Sequence, residues 1–159
     1  MSRYFYIFCI ACLTLAVTPS AAQNTPIGKR IPDVRPDAWL NDVRPHRDSE
    51  ITCIEFFHPA SVRSRRNIEH LDSLAAHFPR KDFQFVVIAA GEAEAVAKAL
   101  TPLTAEGVAV GLDTDNDCFK AFGVSYLPAC VIIDNQRKAV WTGDSRSLTA
   151  KLIEDLKQQ

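Results

Sequence analysis

Ile51-Thr-Cys-Ile-Glu-Phe-Phe-His-Pro-Ala-Ser-Val-Arg-Ser-Arg-Arg66 is the stretch on which the fold turns. Its first part, Ile51 to His58, is short, rich in β-branched and aromatic side chains, and stopped by Pro59. That is how a buried strand reads. From Ser61 the period changes. Val62, Leu71, Leu74, Ala75 and Phe78 fall at helical spacing with Arg and Glu between them, so a helix is expected over 61–78, closed by Pro79. A strand feeding a helix points to parallel pairing with the strand that follows.

The rest of the chain repeats this alternation. Phe83 to Ala89 reads as a second buried strand, and 92–100 as an Ala-rich helix stopped by Pro102. Val108 to Leu112 is a short strand, and Asp115 to Phe122 a short helix ended by Gly123. Ala129 to Asp134 is a third strong strand. A polar turn over 135–138 then leads to an antiparallel edge strand, Ala139 to Trp141, and a last helix over 148–156. The expected class is α/β: a mixed central sheet with helices on both faces and no internal repeat.

Upstream, residues 23–50 are polar and punctuated by Pro26, Pro32, Pro36 and Pro45. They read as a lead-in, mostly loop with room for one short strand, whose Ile31, Val34, Trp39, Leu40 and Val43 lie on a core. Residues 1–22 differ again. Arg3 gives a positive start, Tyr4 to Val17 is apolar and uncharged, and Pro19-Ser-Ala-Ala22 offers small residues for cleavage. That is the layout of a secretory signal peptide. The apolar run is short for a membrane span, which takes about 20 residues. Retention as an N-terminal anchor is the alternative. Lipidation is disfavoured because Cys9 and Cys12 lie inside the apolar run. The expected division is a signal peptide at 1–22, a lead-in at 23–50 and one domain at 51–159. The mature protein is expected to be periplasmic or secreted, with no membrane span after cleavage.

The composition suits one globular domain: 159 residues, 47% hydrophobic and 23% charged. With 18 basic against 19 acidic residues there is no basic excess for a nucleic-acid partner. Five cysteines are too few for a disulfide-stapled miniprotein. Cleavage removes Cys9 and Cys12 and leaves Cys53, Cys118 and Cys130. An odd count means that at least one thiol is free, capped or joined to another chain. Cys53 and Glu55 share a strand face by period two. Cys130 lies on a strand expected beside theirs, so Cys53 and Cys130 are expected to approach one another inside the sheet.

Three features, in order, resemble the thioredoxin superfamily, and its exported TlpA-like branch of thiol-disulfide oxidoreductases in particular. Ile54 to Arg66 is similar to the family's strand followed by Trp-Cys-x-x-Cys and a basic helix start. Phe122-Gly-Val-Ser-Tyr-Leu-Pro128 is similar to the segment that ends in a cis-proline, and Val131-Ile-Ile-Asp134 with its polar turn and Val140 resembles the closing hairpin. The resemblance runs from Ile27 to the C-terminus and implies a thioredoxin-like fold. It also implies that Ser61 and Ser64 stand where the family carries its two cysteines. A helix N-terminus acidifies a thiol into a nucleophile. A serine hydroxyl is not acidified to that degree and forms no disulfide, so dithiol exchange is not expected at this site.

The same resemblance assigns the candidate site. Glu55 matches the family's buried acid, which there assists proton transfer. Beneath two serines it is expected to be a relic, or a carboxylate bonded to a hydroxyl. Pro128 matches the cis-proline, and Leu127 the residue whose backbone pairs with an extended peptide. That pairing does not need the thiols, although Pro128 shaping its loop alone is the competing explanation. Val62, Arg63, Leu127 and Pro128 therefore make the candidate binding surface, with an extended peptide or protein as partner at the Ser61/Pro128 face. The alternative is an enzyme of the cell envelope in which Cys130 is the nucleophile, with Cys53 as its partner. Against that stands burial of all three cysteines as small hydrophobes. A hydrolase triad of Ser61, His58 and Glu55 is disfavoured, because residues three apart on a strand face opposite ways and no Gly-x-Ser-x-Gly elbow is present. Arg63, Arg65 and Arg66 at the helix start are expected to form a solvated face. His46, His58, His70 and His77 do not combine with cysteines at metal-ligand spacing, and glycine-rich phosphate loops are absent. No metal and no cofactor are expected.

Overall fold

A computed structural model describes residues 25–101 and 107–159. The expected signal peptide and Pro102 lie outside the described residues. In chain order the elements are β1 (Ala38–Trp39), β2 (Ile51–Phe57), α1 (Val62–Ala75), β3 (Phe83–Ala89), α2 (Ala93–Leu100), β4 (Ala109–Leu112), α3 (Asp117–Ala121), β5 (Ala129–Asp134), β6 (Ala139–Gly143) and α4 (Ala150–Lys157). The strands form one sheet in the order β1-β4-β3-β2-β5-β6. β2, β3 and β4 run parallel, whereas β5 is antiparallel to both β2 and β6.

β3 is buried at every position, and β2 at every position except Thr52. Unbroken apolar runs suit strands covered on both faces. On one face Cys53, Phe57, Val87 and Ile132 pack with Leu71 of α1, Val96 of α2 and Ile153 of α4. On the other, Ile54, Phe56, Val86 and Val131 pack with Cys118 of α3, Phe122 and Ile31 of the lead-in. Helices thus cover both faces of a mixed sheet, as expected.

Differences from the sequence reading lie at element ends, where side chains rather than periodicity decide. α1 stops at Ala75, short of Phe78. Beyond it the His77 and Phe78 N–H groups donate to Leu74 O and Ala75 O at 3.0 and 3.1 Å, the i→i+3 bonds of a tightening last turn. α3 is shorter than 115–122 because the Asp113 carboxylate accepts from the Cys118 and Phe119 N–H groups, both at 3.0 Å, and fixes its start. α4 begins beyond Leu148: Ser145–Ser147 form a 3-10 turn, and the Thr149 hydroxyl caps the helix by accepting from Leu152 N–H at 3.1 Å. β6 continues through Gly143.

The lead-in straps both edges of the sheet. Near Ala139, Gly28 N–H donates to Ala139 O at 2.7 Å and Ile31 N–H to Arg137 O at 2.9 Å. Asp37 and Leu40 N–H then donate to Leu112 O and Val110 O, each at 2.8 Å, and β1 pairs antiparallel with β4. Unpaired edge groups that would template aggregation are covered in this way. Pro36 comes so close to β4 that a Cβ on Gly111 would lie 2.6 Å from its Cγ, so that position admits no larger side chain without displacing the strap.

Candidate functional site

The site lies where β2 hands over to α1. Pro59 ends the strand, and the Ser61 N–H donates to His58 O at 2.9 Å in the turn. Ser61 is the α1 N-cap, with extended backbone (φ -84, ψ 108) and an Oγ that accepts from Ser64 N–H at 3.2 Å. The cap satisfies one of the helix's orphan donors. Ser61→Ala is expected to lower stability by about 1 kcal/mol in urea titration. Ser61→Asp should retain it, because a carboxylate caps equally well and the first turn of α1 holds no acid.

The Phe56–Ala129 pairing of β2 and β5 brings Leu127 and Pro128 to this same end of the sheet. The Leu127–Pro128 peptide bond is cis. No backbone–backbone hydrogen bond within the described residues engages Ser125, Tyr126 or Leu127. Two of the large apolar side chains that stay exposed flank this end, Val62 at 53% and Tyr126 at 44%. Tyr126 belongs to the motif ending in Pro128, but its exposure could not be read from its spacing. Arg63 and Arg66 are exposed, while Arg65 turns back to donate to Pro59 O at 2.6 Å.

Beneath this surface lies a buried polar island. Glu55 is fully buried, and among the described residues neither of its carboxyl oxygens reaches a partner in hydrogen-bonding geometry. Ser145, Asn67 and Cys130 are the polar groups that face it. Burial pushes its pKa up to about 8, helped by the nearby Asp144 charge and opposed by Ser145 and Asn67, so Glu55 is mostly protonated at neutral pH. Asn67 donates to Asp144 Oδ1 at 2.8 Å and to Ser145 Oγ at 2.9 Å, tying α1 to the end of the β6 hairpin. Ser64 Oγ is also buried and has no hydrogen-bond partner among the described residues. The expected carboxylate–serine bond is therefore not formed. The sequence reading missed Asn67, Asp144 and Ser145; a polar Asn one turn after Ser64 on the buried face of α1 was the available signal.

The cysteines divide between the two faces. Cys53 and Cys130 are both 0% exposed, with their sulfurs 3.0 Å apart, and burial raises both thiol pKa values. Cys118 lies in the core of the opposite face, its pKa raised by burial to about 11. Cys53, Glu55 and Cys130 could offer a metal three ligand atoms within 4.8 Å of one another. A structural zinc takes four. His70 Nε2 lies 2.9 Å from Leu148 O and His77 Nδ1 2.7 Å from Ser73 O. His58 Nδ1 accepts from Ala60 N–H at 3.1 Å, so Ser61, His58 and Glu55 do not assemble as a triad. A groove of about 660 Å³ lies beneath the lead-in around Trp39, Arg44 and Ile54, at the end of β2 away from Ser61.

No family model and no curated protein matches the chain. Solved structures do. The thioredoxin domain of a thiol-disulfide oxidoreductase from Bacteroides vulgatus superposes with TM-score 0.66 at 17% identity, over 82% of this chain and 96% of that one. A secreted Mycobacterium tuberculosis disulfide oxidoreductase homologous to Escherichia coli DsbE gives 0.56 at 15% identity, over 69% and 81%. A thioredoxin-like protein from Aeropyrum pernix gives 0.58 at 14% identity, over 75% and 80%. Likeness at such identities is a likeness of fold, and the chain has the thioredoxin-like α/β fold.

Proposed function

We propose that this chain is an exported thioredoxin-fold protein that does no dithiol chemistry at the usual place. It serves instead as a binding or accessory module for an extended peptide or protein. On this reading Ser61 and Ser64 occupy the positions of the family's cysteine pair. Val62, Arg63, Leu127 and Pro128 form the recognition surface, to which Tyr126 is added. The observation that carries it is the chemistry of the end where β2 meets α1: an exposed apolar pair, a backbone stretch without backbone partners among the described residues, and a serine hydroxyl used as a helix cap. Backbone groups without internal partners can pair with an extended ligand, and exposed apolar side chains add contact area. Export is supported by the layout of residues 1–22 and by a structural neighbour described as secreted. The charge balance gives no support to a nucleic-acid partner.

A second reading, an envelope oxidoreductase working through Cys130 and Cys53, draws on the 3.0 Å approach of their sulfurs. Their burial and raised pKa values weigh against it, because exchange needs an accessible thiolate.

Two measurements test the proposal together. Insulin reduction by dithiothreitol is expected to proceed no faster with the protein than without it. Hydrogen exchange against a panel of extended peptides is expected to find ligands that slow the Tyr126 and Leu127 amides, with Val62→Asp abolishing the protection. Catalysed insulin reduction would overturn the first half. A panel that leaves both amides unprotected would overturn the second.

A further inference from the structure

We propose that Cys53 and Cys130 are joined by an S–S bond in the mature protein, a covalent staple between β2 and β5 that leaves Cys118 as the one remaining thiol. Glu55 stands opposite Cys130 and Cys53 opposite Ile132, so the two cysteines are diagonal neighbours on one face of an antiparallel pair, a spacing from which β2 and β5 must shift slightly together to bring the two Cα atoms into bridging range. Their sulfurs are 3.0 Å apart, about 1 Å more than the bonded distance. Cys118 packs on the opposite face of the sheet, so the layered fold leaves no other pairing open. The odd cysteine count is resolved as one bridge and one buried thiol. A metal is a poorer occupant. Tetrahedral zinc would hold two thiolates about 3.8 Å apart, given Zn–S bonds of about 2.3 Å, so the pair would have to open. The cluster also offers three donors where a structural zinc takes four.

The bridge is structural, not catalytic, because neither sulfur is accessible in the folded chain. It must close before β5 docks on β2, and its oxidant is a small or protein disulfide. One cysteine thiolate attacks that disulfide, forms a mixed disulfide and expels one thiolate. The second cysteine then attacks the protein sulfur of the mixed disulfide and expels the other. Two electrons pass to the oxidant, and the two cysteine protons end on its two product thiols. The supply of oxidant in the cell and the removal of Cys9 and Cys12 rest on the export reading.

The test separates the two. The reduced, unfolded mature chain, residues 23–159, is refolded in a glutathione redox buffer, denatured without reductant, alkylated and mapped by mass spectrometry. The expected result is a label on Cys118 alone, and on all three cysteines after reduction. Dithiothreitol should open the bridge only when denaturant is present. A label spread evenly over the three cysteines would mean random pairing and would overturn the proposal. So would three labels without reductant, or one zinc released per chain. The same mapping on protein isolated from cells tests export: a bridge that forms in the refolded protein but is missing from the cellular one supports the pairing and counts against the oxidising compartment.

Discussion

The protein is expected to lose stability steadily as pH rises from 4.5 to about 8, and Glu55→Gln is expected to remove most of that loss. The Glu55 carboxyl has an ordinary value of 4.5 and is pushed up to about 8 in the folded chain, chiefly by burial. Between those values the unfolded chain gives up a proton that the folded chain keeps. Stability is therefore whole below 4.5 and declines as pH climbs towards the folded value. The interval is worth on the order of 5 kcal/mol at about 1.4 kcal/mol per pH unit. That is a large share of the roughly 5–15 kcal/mol that holds a domain together. Gln keeps the shape and carries no proton to lose, so its urea midpoints should vary far less over this range. The difference between the two curves isolates Glu55 from the other titrating groups. Parallel curves for wild type and variant would sink the argument. Glu55→Leu should go further and raise stability at pH 8, because it also removes two buried oxygens that lack hydrogen-bond partners.

A carboxyl this costly is not a packing choice, which bears on how the site was legible. Glu55 stands out in the sequence because an acid interrupts an apolar strand, and the structure buries it with no hydrogen-bond partner for its oxygens among the described residues. The strands were legible for the same local reason: Phe83 to Ala89 and Ala129 to Asp134 are unbroken apolar runs, and both form with the expected bounds. The Cys53–Cys130 approach was legible too, since period two and strand order suffice to place it. Groups assembled from separate elements were not. Asn67 comes from α1, whereas Asp144 and Ser145 follow β6, and only the closed fold sets them against Glu55. The strap of residues 28–40 across both sheet edges was hidden likewise, because its bonds are made by backbone and leave no pattern in the side chains.

If the proposed reading holds, cysteines placed at positions 61 and 64 should confer dithiol chemistry. On the proposed reading two further parts that the exchange needs are in place: the N-terminus of a fourteen-residue helix at position 61 and a protonated acid beneath. The double variant Ser61→Cys/Ser64→Cys is expected to form a reducible bond between those positions. It should also take insulin reduction from background to clear turnover. A thiol at position 61 would sit among the first N–H groups of α1, near Arg63 and Arg66, so its pKa should fall below the free value of about 8.5. Position 64 is buried. Ser64→Cys alone should therefore stay unreactive in the native protein, whereas Ser61→Cys alone should form mixed disulfides and stop there, with no second thiol to resolve them. That ordering separates a true exchange site from two surface thiols, which would react alike. A folded double variant with no bond between 61 and 64 would mean that the two serines do not stand in for the family's cysteine pair. The Leu127–Pro128 surface would then need another explanation than the one its position supports.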